Sequence, residues 1–132
     1  MFEAVLYYSK GGNSLKVVES FGLPLLNVKD NPNVEKYSNY IIVSPTYGDE
    51  ELPFEMEDFL INLKVKNKKY AICELGNRFG HEGEEGFGAK IIIENILQKL
   101  QWFKISSLSL DSVPTVDWNE LKKWTTKKLF KN

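Results

Sequence analysis

Five short apolar runs, four of them followed by a segment of helical period, leave this chain few folds to choose from. The runs cover residues 2–8, 23–28, 40–44, 70–75 and 103–110. The helical stretches are 13–21, carrying Leu15, Val17, Val18 and Phe21, and 52–63, carrying Phe54, Met56, Phe59, Leu60 and Leu63. Two more follow at 87–100, with Ile91, Ile92, Ile93, Ile96, Leu97 and Leu100, and at 117–130, with Trp118, Leu121, Trp124 and Leu129. Gly22 suits the end of the first helix, and Asp117 the N-cap of the last. Strands alternating with helices predict an α/β domain with a five-stranded parallel sheet, and right-handed crossovers put helices on both faces. Tyr40-Ile41-Ile42-Val43-Ser44 is apolar almost throughout and reads as a central strand buried on both faces. Pro24 places the second strand at an edge, or marks its start. The polar connection Lys29 to Ser38 shows no helical period. Extended chain covers roughly 3.3 Å per residue, so a loop of this length crosses two strand spacings of about 10 Å in total. The helix between the second and third strands is therefore expected to be missing or vestigial.

The 132 residues suffice for one domain, 1–132, with a real core. No apolar run approaches a membrane span, and no basic segment precedes an apolar one at the N-terminus, so neither an anchor nor a signal peptide is expected. The lone Cys73 rules out an internal disulfide framework and reads as a small buried strand residue. A cytoplasmic setting follows by default. The net charge is only −1, but Asp49, Glu50, Glu51, Glu55, Glu57 and Asp58 follow one another with no Lys or Arg between Pro45 and Leu60. Glu82, Glu84 and Glu85 add a second acidic group, while lysines crowd 64–69 and the tail. No basic stripe interleaved with aromatics suggests nucleic acid as partner. An acidic face steers a basic protein partner, or is simply the solvated start of a helix.

The chemistry concentrates in three loops, each following a strand and so sharing the carboxyl edge of the sheet. Open α/β sheets bind ligands at that edge, where strand order reverses. For the order 2-1-3-4-5 the reversal lies between the first and third strands. After the first strand comes Ser9-Lys10-Gly11-Gly12-Asn13-Ser14, a glycine turn that opens a helix. That geometry is either an ordinary connection or a cradle for phosphate, whose charge suits the free N–H groups and dipole of a helix N-terminus. After the third strand comes Pro45-Thr46-Tyr47-Gly48 with Asp49, and after the fourth Gly76-Asn77-Arg78-Phe79-Gly80-His81. Their convergence favours the cradle and implies a ligand with a phosphate at one end and a flat group near Tyr47.

These loops resemble those of flavodoxins, carriers of flavin mononucleotide (FMN). The family's Thr/Ser-x-Thr-Gly-Asn-Thr is read here as Ser9 to Ser14, and its Pro-Thr-Trp/Tyr-Gly followed by acids as Pro45 to Glu51. Its third loop, Gly-x-Gly-Asp in some members, is matched more loosely by Glu74-Leu75-Gly76-Asn77. The resemblance covers almost the whole chain and is nearest to the short-chain type. It implies a three-layer flavodoxin-like fold and non-covalent FMN held by Ser9, Lys10, Gly11, Gly12, Asn13, Ser14, Pro45, Thr46, Tyr47, Gly48, Asp49, Gly76, Asn77, Arg78, Phe79, Gly80 and His81. It also implies a monomeric one-electron carrier without substrate turnover of its own. Its partners are then a flavodoxin/ferredoxin reductase-type donor and an acceptor enzyme, docking around Asp49, Glu50, Glu51, Glu82, Glu84 and Glu85.

Within that resemblance Tyr47 is expected to stack on the ring. A flip of the Gly48 peptide is expected to offer a carbonyl to the one-electron-reduced ring, and the nearby acids to lower the second potential. The departures are informative. Gly11 stands where the family has a hydroxyl, Asn77 where it has Asp, and His81 where a tyrosine often stacks; Phe79 competes with His81 for that place. Lys10 faces either the phosphate or, preferably, solvent. Gly76-Asn77-Arg78-Phe79-Gly80 also resembles the third loop of flavodoxin-like activators of manganese class Ib ribonucleotide reductases, one residue shorter. The acidic Asp49-Glu50-Glu51 continuation resembles flavodoxins instead. A flavin-free interaction module is the further alternative. A phosphorelay receiver is disfavoured, because Tyr8-Ser9 and Ser44-Pro45 stand where it needs acids.

Overall fold

A computed structural model describes residues 1–46, 51–77 and 87–130. The elements run β1 (Ala4–Tyr7), α1 (Gly12–Ser20), β2 (Leu25–Asn27), β3 (Asn39–Pro45), α2 (Phe54–Ile61), β4 (Lys69–Gly76), α3 (Ala89–Lys99), β5 (Phe103–Asp111) and α4 (Trp118–Trp124), the last widening into a π-helical turn over Thr125–Leu129. All neighbouring strands pair in parallel, in the order β2-β1-β3-β4-β5. This is the doubly wound α/β arrangement expected, with β2 at an edge and β3 in the middle.

Period-two alternation sorts the strand residues onto two faces. Leu6, Ile42 and Ile72 pack with Met56, Leu60, Ile93 and Leu97 of α2 and α3. Val5, Ile41, Val43, Ala71 and Cys73 pack with Val17 and Val18 of α1 and with Leu121 and Trp124 of α4. Cys73 has no exposed surface, and that burial pushes its thiol well above the ordinary cysteine range. The domain is thus three layers, one sheet between two pairs of helices.

Between β2 and β3 the crossover helix shrinks to two single 3-10 turns, Val28–Asp30 and Val34–Lys36. Each is opened by an asparagine side chain: Asn27 accepts from Lys29 N at 3.1 Å and Asn33 from Glu35 N at 3.0 Å. Buried Val28 and Val34 pin the turns to the sheet, and the Tyr40 hydroxyl donates to the Val34 carbonyl. The vestigial helix expected from the sequence is what these turns amount to.

Three apolar assignments need correction. Phe54, Ile91 and Trp118 are 74%, 59% and 44% exposed. Phe54 and Ile91 stand two residues before buried Met56 and Ile93. Two residues turn a helix by about 200°, so they face away from the core. Trp118 has the right phase but is the first residue of α4 and is only partly covered. The imperfect alternation of β5 also has a cause: Tyr70 pairs with Lys104 but Ala71 with Ser106, so Ile105 is an extra, bulged residue.

Candidate functional site

Gly11 and Gly12 carry φ of 107° and 63°, the left-handed region that side chains resist. A Cβ on either would meet nothing within 4 Å, so conformation rather than space selects glycine here. The turn they form folds back on two hydroxyls. Gly11 N donates to Ser9 Oγ at 2.9 Å, Ser9 Oγ and Ser14 Oγ lie 2.6 Å apart, and Ser14 Oγ donates to the Gly11 carbonyl at 3.0 Å.

Beyond this turn α1 starts with no side-chain cap and no acid in its first turn. The other three described helices differ. The buried Glu74 carboxylate accepts from Phe87 N and Lys90 N, each at 2.8 Å, so α3 begins on an anion supplied by the chain itself. Asp117 caps α4 through Glu120 N at 3.1 Å, and Glu55 and Glu57 occupy the first turn of α2. Among the described helices, α1 alone leaves the positive end of its dipole without an internal carboxylate, and that end suits an external anion.

A cleft of about 440 Å³ opens at this end. Lys10, Gly11, Asn13 and Ser14 line it from the first loop, Pro45 and Thr46 from the second, and Leu75 and Gly76 from the third. Thr46 N donates to the Leu75 carbonyl at 2.8 Å, tying the ends of β3 and β4 together at this edge. Thr46 Oγ1, in contrast, is buried and has no hydrogen-bond partner among the described residues. A buried hydroxyl rarely stays unpaired without a reason, and a polar ligand in the cleft supplies one. These groups fit the phosphate and sugar-alcohol part of FMN: an open helix N-terminus, two serine hydroxyls, a glycine turn and an orphaned threonine.

Of the residues named from sequence, the structure therefore brings Lys10, Gly11, Asn13, Ser14, Pro45, Thr46 and Gly76 to one cleft. Ser9 and Gly12 shape the turn, and Asn77 lies just past β4. Lys10 is exposed at the cleft. Tyr47, Gly48, Asp49, Arg78, Phe79, Gly80 and His81 lie outside the described residues, as do Glu50, Glu82, Glu84 and Glu85. Sequence reasoning missed Ser112 and Val113, which line the cleft from the β5–α4 loop. The Asp111-to-Trp118 approach to the last helix resembles that of flavodoxins in sequence, but nothing in it marks these two residues as ligand-facing.

A roomier groove of about 610 Å³ lies between the 3-10 turns and α2, where a full crossover helix would sit. Among the described residues it has neither an open helix end nor an orphaned polar atom. Among the described residues no three His, Cys, Asp or Glu side chains are placed to hold a metal ion, and no helix is long and apolar enough to cross a membrane.

No family model and no curated protein sequence matches the chain. Its structure, however, is similar to solved flavodoxins. Oxidised flavodoxin 1 from Bacillus cereus superimposes with a TM-score of 0.70 at 18% identity, over 92% of this chain and 91% of that one. A cysteine-to-alanine mutant of flavodoxin from Pseudomonas aeruginosa also gives 0.70 at 18%, over 94% and 93%. Fusobacterium nucleatum flavodoxin bound to flavin mononucleotide gives 0.67 at 20%, over 87% of this chain and 73% of that one. The class defined here is thus a flavodoxin-like α/β fold with a cleft of anion-suited donors at its carboxyl edge. The resemblance read from the loops extends to the whole architecture.

Proposed function

We propose that this chain binds FMN non-covalently and serves as a low-potential one-electron carrier between redox proteins, with no substrate turnover of its own. The observation that carries the reading is the pairing of an uncapped α1 N-terminus with the orphaned Thr46 Oγ1 in one cleft. Bound there, FMN supplies the redox chemistry. The chain's own residues hold and orient it. The N–H groups at the start of α1, with Ser9 and Ser14, take the phosphate; Pro45, Thr46, Leu75 and Gly76 line the stretch toward the ring. Tyr47, Gly48, Asp49, Asn77, Arg78, Phe79, Gly80 and His81 flank the ring in this reading. A basic reductase-type donor and an acceptor enzyme dock on the acidic face around Asp49, Glu50, Glu51, Glu82, Glu84 and Glu85, steered by charge.

The test is flavin titration followed by stepwise reduction. The purified chain is expected to bind FMN, more tightly than riboflavin, and to take up two electrons in well-separated steps. Closely spaced potentials would favour the second reading, a ribonucleotide-reductase activator, suggested by Gly76-Asn77-Arg78-Phe79-Gly80. Failure to bind FMN would overturn both in favour of a flavin-free interaction module.

A further inference from the structure

We propose that Asn13 is a clasp for the β5–α4 loop rather than a phosphate ligand, and that Ser112 and Val113 on this loop form a fourth, ligand-facing wall of the cleft. The proposal rests on the reading that the cleft takes FMN.

Asn13 is the second residue of α1, a natural place for a side chain to reach a bound phosphate. Its amide is committed elsewhere. Asn13 Nδ2 donates to the Ser112 carbonyl at 2.7 Å and to the Pro114 carbonyl at 3.1 Å. A primary amide has two N–H donors, and both are used. Because the facing atoms are carbonyl oxygens, the nitrogen must be the atom that meets them. The amide oxygen that remains is an acceptor and offers nothing to an anion. The phosphate is left to the backbone N–H groups and to Ser9 and Ser14, whose hydroxyl hydrogens rotate freely from their bonds within the turn to an incoming anion.

The loop so held crosses from one side of the cleft to the other. Ser112 N donates to the Gly76 carbonyl at 3.0 Å, anchoring it at the third loop, while the Asn13 bonds anchor it at the first. Asp117 N closes it by donating to the Asp111 carbonyl at 2.9 Å. Ser112 is buried, but Val113 is 52% exposed and lines the cleft. An apolar side chain on a cleft wall suits the C–H face of the sugar-alcohol chain that links phosphate to ring, its hydroxyls turning to the polar groups of the other walls. The fourth wall therefore recognises the linker, and Asn13 sets how close that wall stands.

The experiment titrates FMN and riboflavin, which differ by the phosphate, into the wild-type chain and Asn13→Ala. A clasp weakens both flavins by a common factor of about ten, the effect of two lost hydrogen bonds on the wall, and leaves their ratio unchanged. Loss of FMN affinity with riboflavin unaltered would make Asn13 a phosphate ligand and overturn the proposal. Amide exchange on the flavin-free chain decides the clasp independently. Asp117 N–H should exchange faster in Asn13→Ala, and an unchanged rate would remove the clasp. A wild-type chain that binds neither flavin would overturn the proposed function, while this exchange result would still stand or fall alone. Val113→Asp, at a half-exposed position that does not disturb the core, is expected to weaken FMN at least about fivefold by charge repulsion. Unaltered FMN affinity would take Val113 out of the wall.

Discussion

Glu74 and Phe87 are 13 residues apart in the chain, yet the Glu74 carboxylate accepts the Phe87 N–H at 2.8 Å. The same carboxylate accepts from Lys90 N at 2.8 Å and from the Ser109 hydroxyl, with no surface exposed to water. Burying a carboxylate is costly unless its oxygens are satisfied, and here three donors satisfy them. Glu74→Ala leaves two backbone N–H groups without an acceptor and is expected to cost about 3 kcal/mol in urea unfolding. Glu74→Gln, which keeps acceptor oxygen, should cost less. Equal stability of Glu74→Ala and wild type would contradict this account.

Gly76 ends β4 directly against the ring of Phe87. A Cβ placed on it would lie 2.7 Å from the ring, closer than carbon atoms tolerate. Gly76→Ala is expected to destabilise by about 1–3 kcal/mol through overpacking. Combining it with Phe87→Leu should recover part of the loss, so the two changes should be less than additive in a double-mutant cycle. Full additivity would show that the ring is not what Gly76 accommodates.

Thr46→Val separates ligand binding from folding. The hydroxyl has no described partner, so its removal should leave the flavin-free chain as stable as wild type, or up to about 1 kcal/mol more stable. FMN binding should weaken by roughly fivefold to tenfold. A drop in flavin-free stability with intact binding would assign the hydroxyl a structural role.

Tyr8 and Glu55 connect β1 to α2. The Tyr8 hydroxyl donates to the Glu55 carboxylate at 2.6 Å, and this bond is the main reason its pKa lies below the ordinary 4.5, followed by the Glu55 backbone N–H. A carboxyl depressed by folding stabilises the fold above its unfolded value of 4.5, and the contribution is lost as pH falls through the lower folded value. In Tyr8→Phe, Glu55 should titrate nearer 4.5, and the stability gap to wild type should narrow in acid. Carboxyl NMR titration checks the first point; identical Glu55 curves in both proteins would remove Tyr8 as the cause.

Much of this was legible in residues 2–8 and 40–44, whose unbroken apolar character has one comfortable home, the interior of a parallel sheet. The glycines at 11 and 12 were equally readable, because only glycine takes their backbone conformation cheaply. Helix faces were harder. Phe54 and Ile91 sit in apolar stretches, and composition alone does not say that about 200° of rotation turns them outward. The role of Asn13 was hidden for another reason. Its partners are backbone carbonyls 99 and 101 residues away, and a carbonyl leaves no mark in a sequence. Ser112 and Val113 escaped notice with it.

The burial of Cys73 has a practical side. Its sulfur lies under α1 and α4 on a strand paired on both sides, and it is the chain's sole thiol. Reagents in solution cannot reach it until strands or helices part, so its labelling rate becomes a clock for opening of the native state. The chain carries, with its surface unaltered, a single internal timer that needs no engineered probe.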